Sequence, residues 1–344
     1  MSIFFGDALA FIGPRGPKIV VDPDIRLNLG LLTATPPLTL SSDEKVRPLT
    51  MEETLQKVEE FKKMISNQPR LSLVLDKSDL KKAVADKKTA IVLGLQNAPT
   101  DVNPQAIFEA GIRVMSLSYY EENDLGSGFL NGGVGLKDLG RKIIEKCSES
   151  GIIIDLSHVG HQTAMDAISF IKESRLACRV MASHGGCVAE YHHMRNILDD
   201  TMRGIVELGG VVGITTITFN LDERDNKAGS FLKHLSHAIK VCGEDNVVIG
   251  TDSVYVKRTV EEAKEGIKML APRLDKLGIQ GIRHPENIYE GPKLMEKINN
   301  KICDNSSFAD LYLGFVRGLF TSDQRQKVMG QNLLNFFMRA LPAE

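Results

Sequence analysis

The chain has 344 residues, of which 42% are hydrophobic and 25% charged, and its formal net charge is −2. This composition is typical of a globular protein with a sizeable core, and the near-neutral charge gives no electrostatic reason to expect binding to nucleic acid or an anionic membrane. No apolar run approaches the length of a membrane span, and the five scattered cysteines show neither metal nor disulfide spacing, so we expect a cytoplasmic protein.

Short apolar, β-branched runs recur along the chain and alternate with amphipathic helical patterns. Runs that are apolar throughout are typical of parallel strands covered on both faces. The predicted strands are residues 18–22, 71–76, 89–95, 112–118, 151–157, 178–183, 211–217 and 246–252. Eight strands alternating with helices predict one α/β domain over residues 1–344, folded as a (β/α)8 TIM barrel. A doubly wound open sheet is the alternative, but no GxGxxG motif follows the first predicted strand.

Two stretches depart from this alternation. Residues 30–49 contain three prolines and many threonines and serines, which predicts a long loop after the first strand. Residues 272–307 follow the last barrel helix and are predicted to form an insertion. Helical patterns over residues 308–344 then predict C-terminal helices packed on the barrel.

Polar and ionisable residues stand at the ends of six predicted strands, where barrel enzymes carry their chemistry. In chain order they are Asp22, Asp24 and Arg26; Gln96 and Asn97; Tyr119 and Tyr120; His158; His184; and Asp252. Imidazole and carboxylate are the ligands that zinc favours. One histidine at a strand end is more often a structural residue, but His158, His184 and Asp252 together predict a metal-type site.

These strand ends, with two further motifs, resemble the membrane (renal-type) dipeptidase family, peptidase family M19, a branch of the amidohydrolase-like metal-dependent barrels. The motifs that carry the resemblance are "DLSH" at 155–158, "ASHGGC" at 182–187, "MRNILDD" at 194–200, "IGTDS" at 249–253 and "GQNLLNFF" at 330–337. The family hydrolyses dipeptides with two zinc ions. The resemblance therefore implies a metal-dependent barrel whose substrate is a dipeptide or a small amide.

The resemblance also implies roles for five residues. His158 and His184 match the two histidines of one metal. Asp252 matches an aspartate of the other metal, which is also the expected proton carrier. Arg195 matches an arginine that contacts the substrate, and Tyr119 falls where the family has a substrate-binding histidine.

Three metal-ligand positions also depart from the family pattern. The HxD pair of strand one falls on Asp24 and Arg26, and the glutamate that bridges the two metals falls on Gln96. Two divalent ions 3.5–4 Å apart repel by about 20 kcal/mol at an effective dielectric constant of 20, and neutral glutamine does not offset this. We therefore expect one zinc ion or none, with Asp24 as a third ligand. Arg26 is expected to pair with Asp252 in place of a lost ion, or else to turn to solvent or to Asp22 or Asp24.

Two functions remain open at this point. The first is a hydrolase of a dipeptide or small amide with a reduced, single-zinc site. The second is a catalytically silent homologue, a pseudoenzyme that binds a ligand or partner in the same cleft. Acid–base chemistry without metal has no supporting signal in the sequence. A small, dipeptide-like molecule is the expected partner, and the resemblance adds a homodimer.

Overall fold

A computed structural model describes residues 4–11, 27–35, 39–40, 46–217, 220–222, 228–254 and 320–343. The strands are β1 Gly6–Phe11, β2 Leu29–Thr33, β3 Thr39–Leu40, β4 Val46–Arg47, β5 Leu71–Leu73, β6 Thr89–Leu95, β7 Ile112–Ser116, β8 Ile153–Asp155, β9 Val180–Gly185, β10 Val212–Ile214, β11 Val247–Ile249 and β12 Ser253–Val254. The α-helices are α1 Met51–Ser66, α2 Lys77–Ala85, α3 Pro104–Glu109, α4 Asp138–Ser150, α5 His161–Glu173, α6 Asp199–Glu207, α7 Ala228–Cys242, α8 Ser322–Gln326 and α9 Asn332–Ala340. A 3₁₀ turn, Phe129–Asn131, and a π-helical turn, Lys327–Gln331, complete the described elements.

The strands form a parallel ring. The hydrogen-bonded order is β11-β10-β9-β8-β7-β6-β2-β1-β12, and every pairing along it is parallel. Because β12 follows β11 in the chain and pairs with β1, the last ring strand returns to the first. Helices separate most of the successive strands. The described residues therefore confirm the predicted (β/α)8 TIM barrel.

The first part of the predicted strand order is wrong. The ring position that we predicted for residues 18–22 is occupied by β1, while residues 18–22 lie outside the described residues. The predicted loop over residues 30–49 contains most of β2, which pairs with β6 over five residues. Residues 71–76 were also predicted to form a ring strand. The strand found there, β5, pairs only with the start of β6 and lies off the ring path. The predicted insertion 272–307 also falls outside the described residues.

The core has two parts that follow from the alternation of side chains along each strand. One cluster joins outward-facing strand residues to the apolar faces of the surrounding helices, for example Ile91, Leu93 and Ile154 with Val58 and Ile143. The other joins inward-facing residues to the C-terminal helix α9; its members include Leu31, Val92, Val114, Met181, Leu333 and Phe336. Because α9 packs beside Gly6 at the start of β1, it closes the amino-terminal end of the barrel. The opposite end is left for a site.

A glycine in β10 permits close contact between neighbouring strands beneath that site. A Cβ atom on Gly213 would lie 1.9 Å from the carbonyl oxygen of Ser183 in β9, and its three nearest atoms all belong to the β9 backbone, which leaves little room for relief. We expect Gly213→Ala to lower the free energy of unfolding by about 3 kcal/mol or more. Urea unfolding would measure this. Gly133→Ala is the matched control, because a Cβ there meets nothing within 4 Å, and a similar loss in both variants would contradict the prediction.

No helix in the described ranges combines the length and the apolar character needed to cross a membrane.

Candidate active site

Three predicted site residues meet at the carboxyl ends of neighbouring ring strands. His158 follows β8, His184 lies near the end of β9, and Asp252 lies between β11 and β12. The Nε2 atoms of His158 and His184 are 3.0 Å apart, and Oδ2 of Asp252 is 4.0 Å from Nε2 of His184. Both imidazoles are buried. The barrel therefore brings these three groups together as the sequence predicted.

Asp155, the last residue of β8, fixes the orientation of His184 through a serine. Oδ2 of Asp155 accepts a hydrogen bond from Oγ of Ser183 at 2.5 Å, and Oδ1 accepts from the Ser183 backbone N–H at 2.9 Å. Because the Ser183 hydroxyl hydrogen is directed to the carboxylate, its oxygen accepts from Nδ1 of His184 at 2.8 Å. His184 therefore carries its proton on Nδ1 and presents the lone pair of Nε2 to the cleft.

The guanidinium of Arg195 occupies the space in front of that lone pair. Nη2 lies 2.6 Å from Nε2 of His184, Nη1 donates to the carbonyl oxygen of Ser157, and the guanidinium lies 5.6 Å from the ring centre of Phe129. Burial is the largest cause, and the positive charge of Arg195 the second, of a pKa of His184 that lies well below its usual value. The same two causes, in the same order, lower the pKa of His158. Both histidines are therefore neutral at pH 7.

Two tyrosines form the wall of the cleft beside His158. The ring of Tyr119 stacks on His158 with 4.0 Å between ring centres, and Tyr120 lies against Tyr119 at the same separation. Burial raises the pKa of Tyr119 well above its ordinary value, so its hydroxyl stays protonated. The structure thus places Tyr119 in the cleft, where the resemblance implies contact with substrate.

Asp252 has an unusual backbone as well as an unusual environment. Its φ of 55° lies in the left-handed region that few residues other than glycine adopt, and such strain is concentrated at functional sites. The N–H of Asp252 donates to the carbonyl oxygen of Leu9 in β1 at 2.9 Å, which holds this conformation. Burial raises the pKa of Asp252 to about 7, although Arg195 opposes the shift. The carboxyl can therefore exchange a proton near neutral pH.

Buried polar atoms without partners mark the same cleft. The amide nitrogen and oxygen of Gln96 and Nδ1 of His158 make no hydrogen bond among the described residues, and Gln96 is only 2% exposed. Each such atom costs roughly 1–3 kcal/mol unless a water, ligand or ion satisfies it. A water molecule or a ligand in the cleft would satisfy these atoms.

The described donors around the cleft supply at most two ligands for one metal ion and no bridge between two ions. The Nε2 atoms of His158 and His184 lie within hydrogen-bonding distance of each other, and neutral imidazole is a zinc ligand. As the described side chains stand, however, no three of the His, Cys, Asp and Glu type come close enough together to hold an ion. Gln96 supplies no bridging charge between two ions. The predicted third ligand Asp24, like Arg26, lies outside the described residues, so their predicted roles stay predictions.

The sequence of the first ring strand is a further argument against a site for two metal ions. The family pattern needs a histidine and an aspartate at the carboxyl end of this strand, which is β1. The residues at the carboxyl end of β1 are Leu9, Ala10 and Phe11, and the acidic residue Asp7 lies near its amino end. The first strand was predicted at 18–22 because that run has a stronger strand pattern than the short "GDALAF".

Sequence reasoning also missed the residues that support the histidines. Asp155 and Ser183 stand inside the two motifs "DLSH" and "ASHG", so their positions were visible, but the relay between them depends on the pairing of β8 with β9. The contact between Arg195 and His184 had no local signal, because a loop rather than a strand delivers the guanidinium. Its loop is fixed by Asn196, which bonds to the carbonyl oxygens of Tyr191 and Asn220.

A parallel eight-stranded barrel with paired histidines and a strained aspartate at its carboxyl end defines the class of metal-dependent barrel hydrolases. Residues 32–276 match the model of the membrane dipeptidase family, peptidase family M19. The chain belongs to this family of metal-dependent dipeptidases.

Comparison with known proteins finds a sequence relative and solved structures with the same fold. An uncharacterized protein from the pqqA 5' region of Klebsiella pneumoniae is 28% identical over 200 residues, which is 53% of this chain and 72% of that protein. An amidohydrolase from Pseudomonas aeruginosa has the same fold, with a TM-score of 0.73 and 21% identity over 98% of this chain and 96% of its own. A metallo peptidase from Rhodobacter sphaeroides, liganded with a phosphinate mimic of the dipeptide L-Ala-D-Ala, has a TM-score of 0.71 and 16% identity over 99% and 100% of the two chains.

Proposed function

We propose that this protein hydrolyses dipeptides or small amides with a single metal ion, zinc, held by His158 and His184. The observation that carries the proposal is the pair of Nε2 atoms 3.0 Å apart, one of them fixed as a lone pair by the Asp155–Ser183 relay. A bound zinc ion would acidify a water molecule and polarise the scissile carbonyl.

The remaining roles follow from the positions of this chain's own side chains. Asp252, 4.0 Å from His184, takes the proton from the attacking water and passes it to the leaving amine. Arg195 binds the carboxylate of the substrate, because a guanidinium pairs with a carboxylate through two parallel hydrogen bonds. Tyr119 closes the wall beside His158 and excludes water. A dipeptide supplies both the amide and the carboxylate that this arrangement would recognise, and a structural neighbour is liganded with a mimic of such a dipeptide.

The first experiment measures zinc content and hydrolysis together. Purified protein is loaded with zinc, its affinity is measured by competition with a chromogenic chelator, and a panel of L,L and L,D dipeptides is assayed for release of amino acids. His184→Ala is expected to weaken zinc binding by more than the roughly 10- to 100-fold that loss of a ligand's supporting residue costs. Hydrolysis should disappear with it.

His192→Ala is the matched control, since His192 is an exposed histidine of the loop that carries Arg195. It should leave both zinc affinity and hydrolysis unchanged. Hydrolysis that persists in His184→Ala at the wild-type rate would contradict the proposed site.

The second candidate function is ligand binding without catalysis. The contact between Arg195 and His184 favours it, because the guanidinium and the Asp252 carboxylate already balance the charge of the cleft without an ion. Isothermal titration with dipeptides in the presence of a chelator distinguishes the two functions. Tight binding together with no turnover after zinc loading would favour the pseudoenzyme, whereas zinc-dependent turnover would favour the hydrolase.

A further inference from the structure

The loop between β9 and α6, which carries Arg195, is attached to helix α7 by two histidines. His234 and His237 stand one turn apart in α7 and share one side of the helix. Near the start of the loop, Cys187 donates its backbone N–H to Nδ1 of His234 at 2.8 Å. Just beyond the end of the loop, Oδ1 of Asp199 lies 2.8 Å from Nε2 of His237. The loop is therefore bound to one face of α7 at both of its ends.

The hydrogen bonds of His234 fix its tautomer. The side chain is only 1% exposed, and burial lowers the pKa of its ring, so the imidazole is neutral. Because Nδ1 accepts the N–H of Cys187, the ring proton lies on Nε2, which donates to the carbonyl oxygen of Leu221 at 2.9 Å. One buried imidazole thus joins α7 to the loop after β9 and to the segment 220–222.

The attachment at Cys187 reaches Arg195 through a short bridge across the loop. Cys187 and Ile197 form an isolated parallel β-bridge, in which the Ile197 N–H donates to the carbonyl oxygen of Gly186 at 2.9 Å. The Gly186 N–H donates in turn to Oδ1 of Asn196 at 3.0 Å. Arg195 directly precedes these two bonded residues, so the place of its guanidinium in the cleft depends on the place of Cys187.

We propose that His234 is a positioning residue for Arg195, and that its bond to the Cys187 N–H keeps the loop closed over the cleft. This inference rests on the proposed role of Arg195 in binding a substrate carboxylate, a role that hydrolysis and binding without catalysis both require. Without Nδ1 of His234, the Cys187 N–H would be buried with no acceptor. Water satisfies that N–H when the loop opens, so the open loop becomes more populated and Arg195 is exposed more often.

Asparagine and glutamine separate the two bonds of the imidazole. In His234→Asn the amide oxygen takes the place of Nδ1 and accepts from Cys187. In His234→Gln the amide reaches the place of Nε2 and keeps a donor for Leu221, whereas Cys187 loses its acceptor. The control is His192→Gln, because His192 is an exposed histidine of the same loop.

The test measures how fast phenylglyoxal, a reagent for arginine, modifies Arg195 in the wild type and in these variants, with peptide mass spectrometry as the readout. Arg113 is the internal reference, because it is 5% exposed, as Arg195 is, and lies away from the loop in β7. His234→Gln is expected to raise the rate at Arg195 relative to Arg113 by about 10- to 100-fold, the range that one buried donor without an acceptor implies. His234→Asn and His192→Gln should leave this ratio unchanged.

The outcomes separate a local role from a general loss of stability. A rise at Arg195 that is confined to His234→Gln supports the inference. Equal rises at Arg195 and Arg113 would mean that the whole barrel is destabilised, and equal rises in His234→Asn and His234→Gln would mean that the bond to Cys187 does not hold the loop. Either result would overturn the inference, and so would an unchanged rate at Arg195.

The modification rates require neither zinc nor turnover, so they test the anchor separately from the hydrolase. A protein that hydrolyses no dipeptide can still show the anchor, and a protein without the anchor can still be a hydrolase. Where dipeptides are hydrolysed, His234→Gln should raise KM more than it lowers kcat, because the loop holds a residue that binds the substrate.

Hydrogen exchange of the wild type keeps the inference testable if His234→Gln fails to fold. The amide of Cys187, bonded to His234, and the amide of Ile197, bonded to Gly186, should exchange through one opening and show equal protection. A Cys187 amide that exchanges much faster than that of Ile197 would mean that the bond to His234 opens while the loop stays closed. That result would overturn the inference.

Discussion

Asp252→Asn is expected to lower kcat for dipeptide hydrolysis by about 10²- to 10⁴-fold, the usual contribution of a positioned general base. Asparagine keeps the shape of the side chain and removes its capacity to accept a proton. The measurement is kcat under zinc saturation, with the zinc affinity determined in parallel. Because Asp252 acts on the water and the two histidines hold the ion, the zinc affinity should change by less than the rate.

Asparagine is the informative replacement because of the backbone at this position. Asp252 has a φ of 55°, and asparagine tolerates this left-handed conformation better than other residues with a side chain. Asp252→Ala would add backbone strain to the chemical change, so its loss of rate would be harder to interpret. The control is Asp86→Asn, an exposed aspartate after α2.

Parallel measurement of zinc separates two roles for the carboxylate. If Asp252→Asn loses zinc in proportion to its loss of activity, Asp252 is a metal ligand and the assignment of a proton-transfer role is wrong. If kcat is unchanged while zinc stays bound, the catalytic base lies elsewhere in the cleft. A large loss of kcat with zinc retained is the result that the geometry favours.

The ring strands that carry the site were predictable because of how they are buried. Strands β6 to β11 are covered on both faces, so their sequences are apolar almost throughout and stop at a polar residue. This is why His158, His184 and Asp252 could be placed at one end of the barrel before any coordinates. The family motifs also indicated the order in which these strand ends occur along the chain.

The first strands were not predictable because the evidence for them is not local. Strand β1 has a sequence no more apolar than several other short runs, and its position depends on hydrogen bonds to β2 and to β12, which lies more than 240 residues away in the chain. The opposite error occurred at β5, whose apolar sequence predicted a ring strand. Pairing with only the start of β6 leaves it outside the ring.

The position of Arg195 shows a similar limit within the site. The motif "MRNILDD" indicated that Arg195 binds a substrate carboxylate. That role requires only that the loop lies near the cleft. Contact with His184 depends on the rotamer of one side chain and on the fixed tautomer of the histidine. Neither property is encoded in the spacing of residues, so this contact became visible only from the structure.

Asp7 explains how the ring is closed between its first and last strands. Its carboxylate is completely buried. Oδ1 accepts from the Thr251 N–H at 2.8 Å and from the Leu9 N–H at 3.1 Å, and Oδ2 accepts from the Thr251 hydroxyl at 2.6 Å. Since Thr251 immediately precedes Asp252, the same carboxylate also positions the residue that we assign as the catalytic base.

Asp7→Ala is therefore expected to lower the free energy of unfolding by about 3–5 kcal/mol, because it leaves buried donors in β1 and in the link between β11 and β12 without an acceptor. Urea unfolding measures the loss, and Asp86→Ala, at an exposed aspartate, should stay within about 0.5 kcal/mol of the wild type. Thr251→Val removes one of the donors, so its cost and that of Asp7→Ala should sum to more than the cost of the double variant. Additive costs, or an Asp7→Ala variant as stable as Asp86→Ala, would mean that this carboxylate does not hold the last strand to the first.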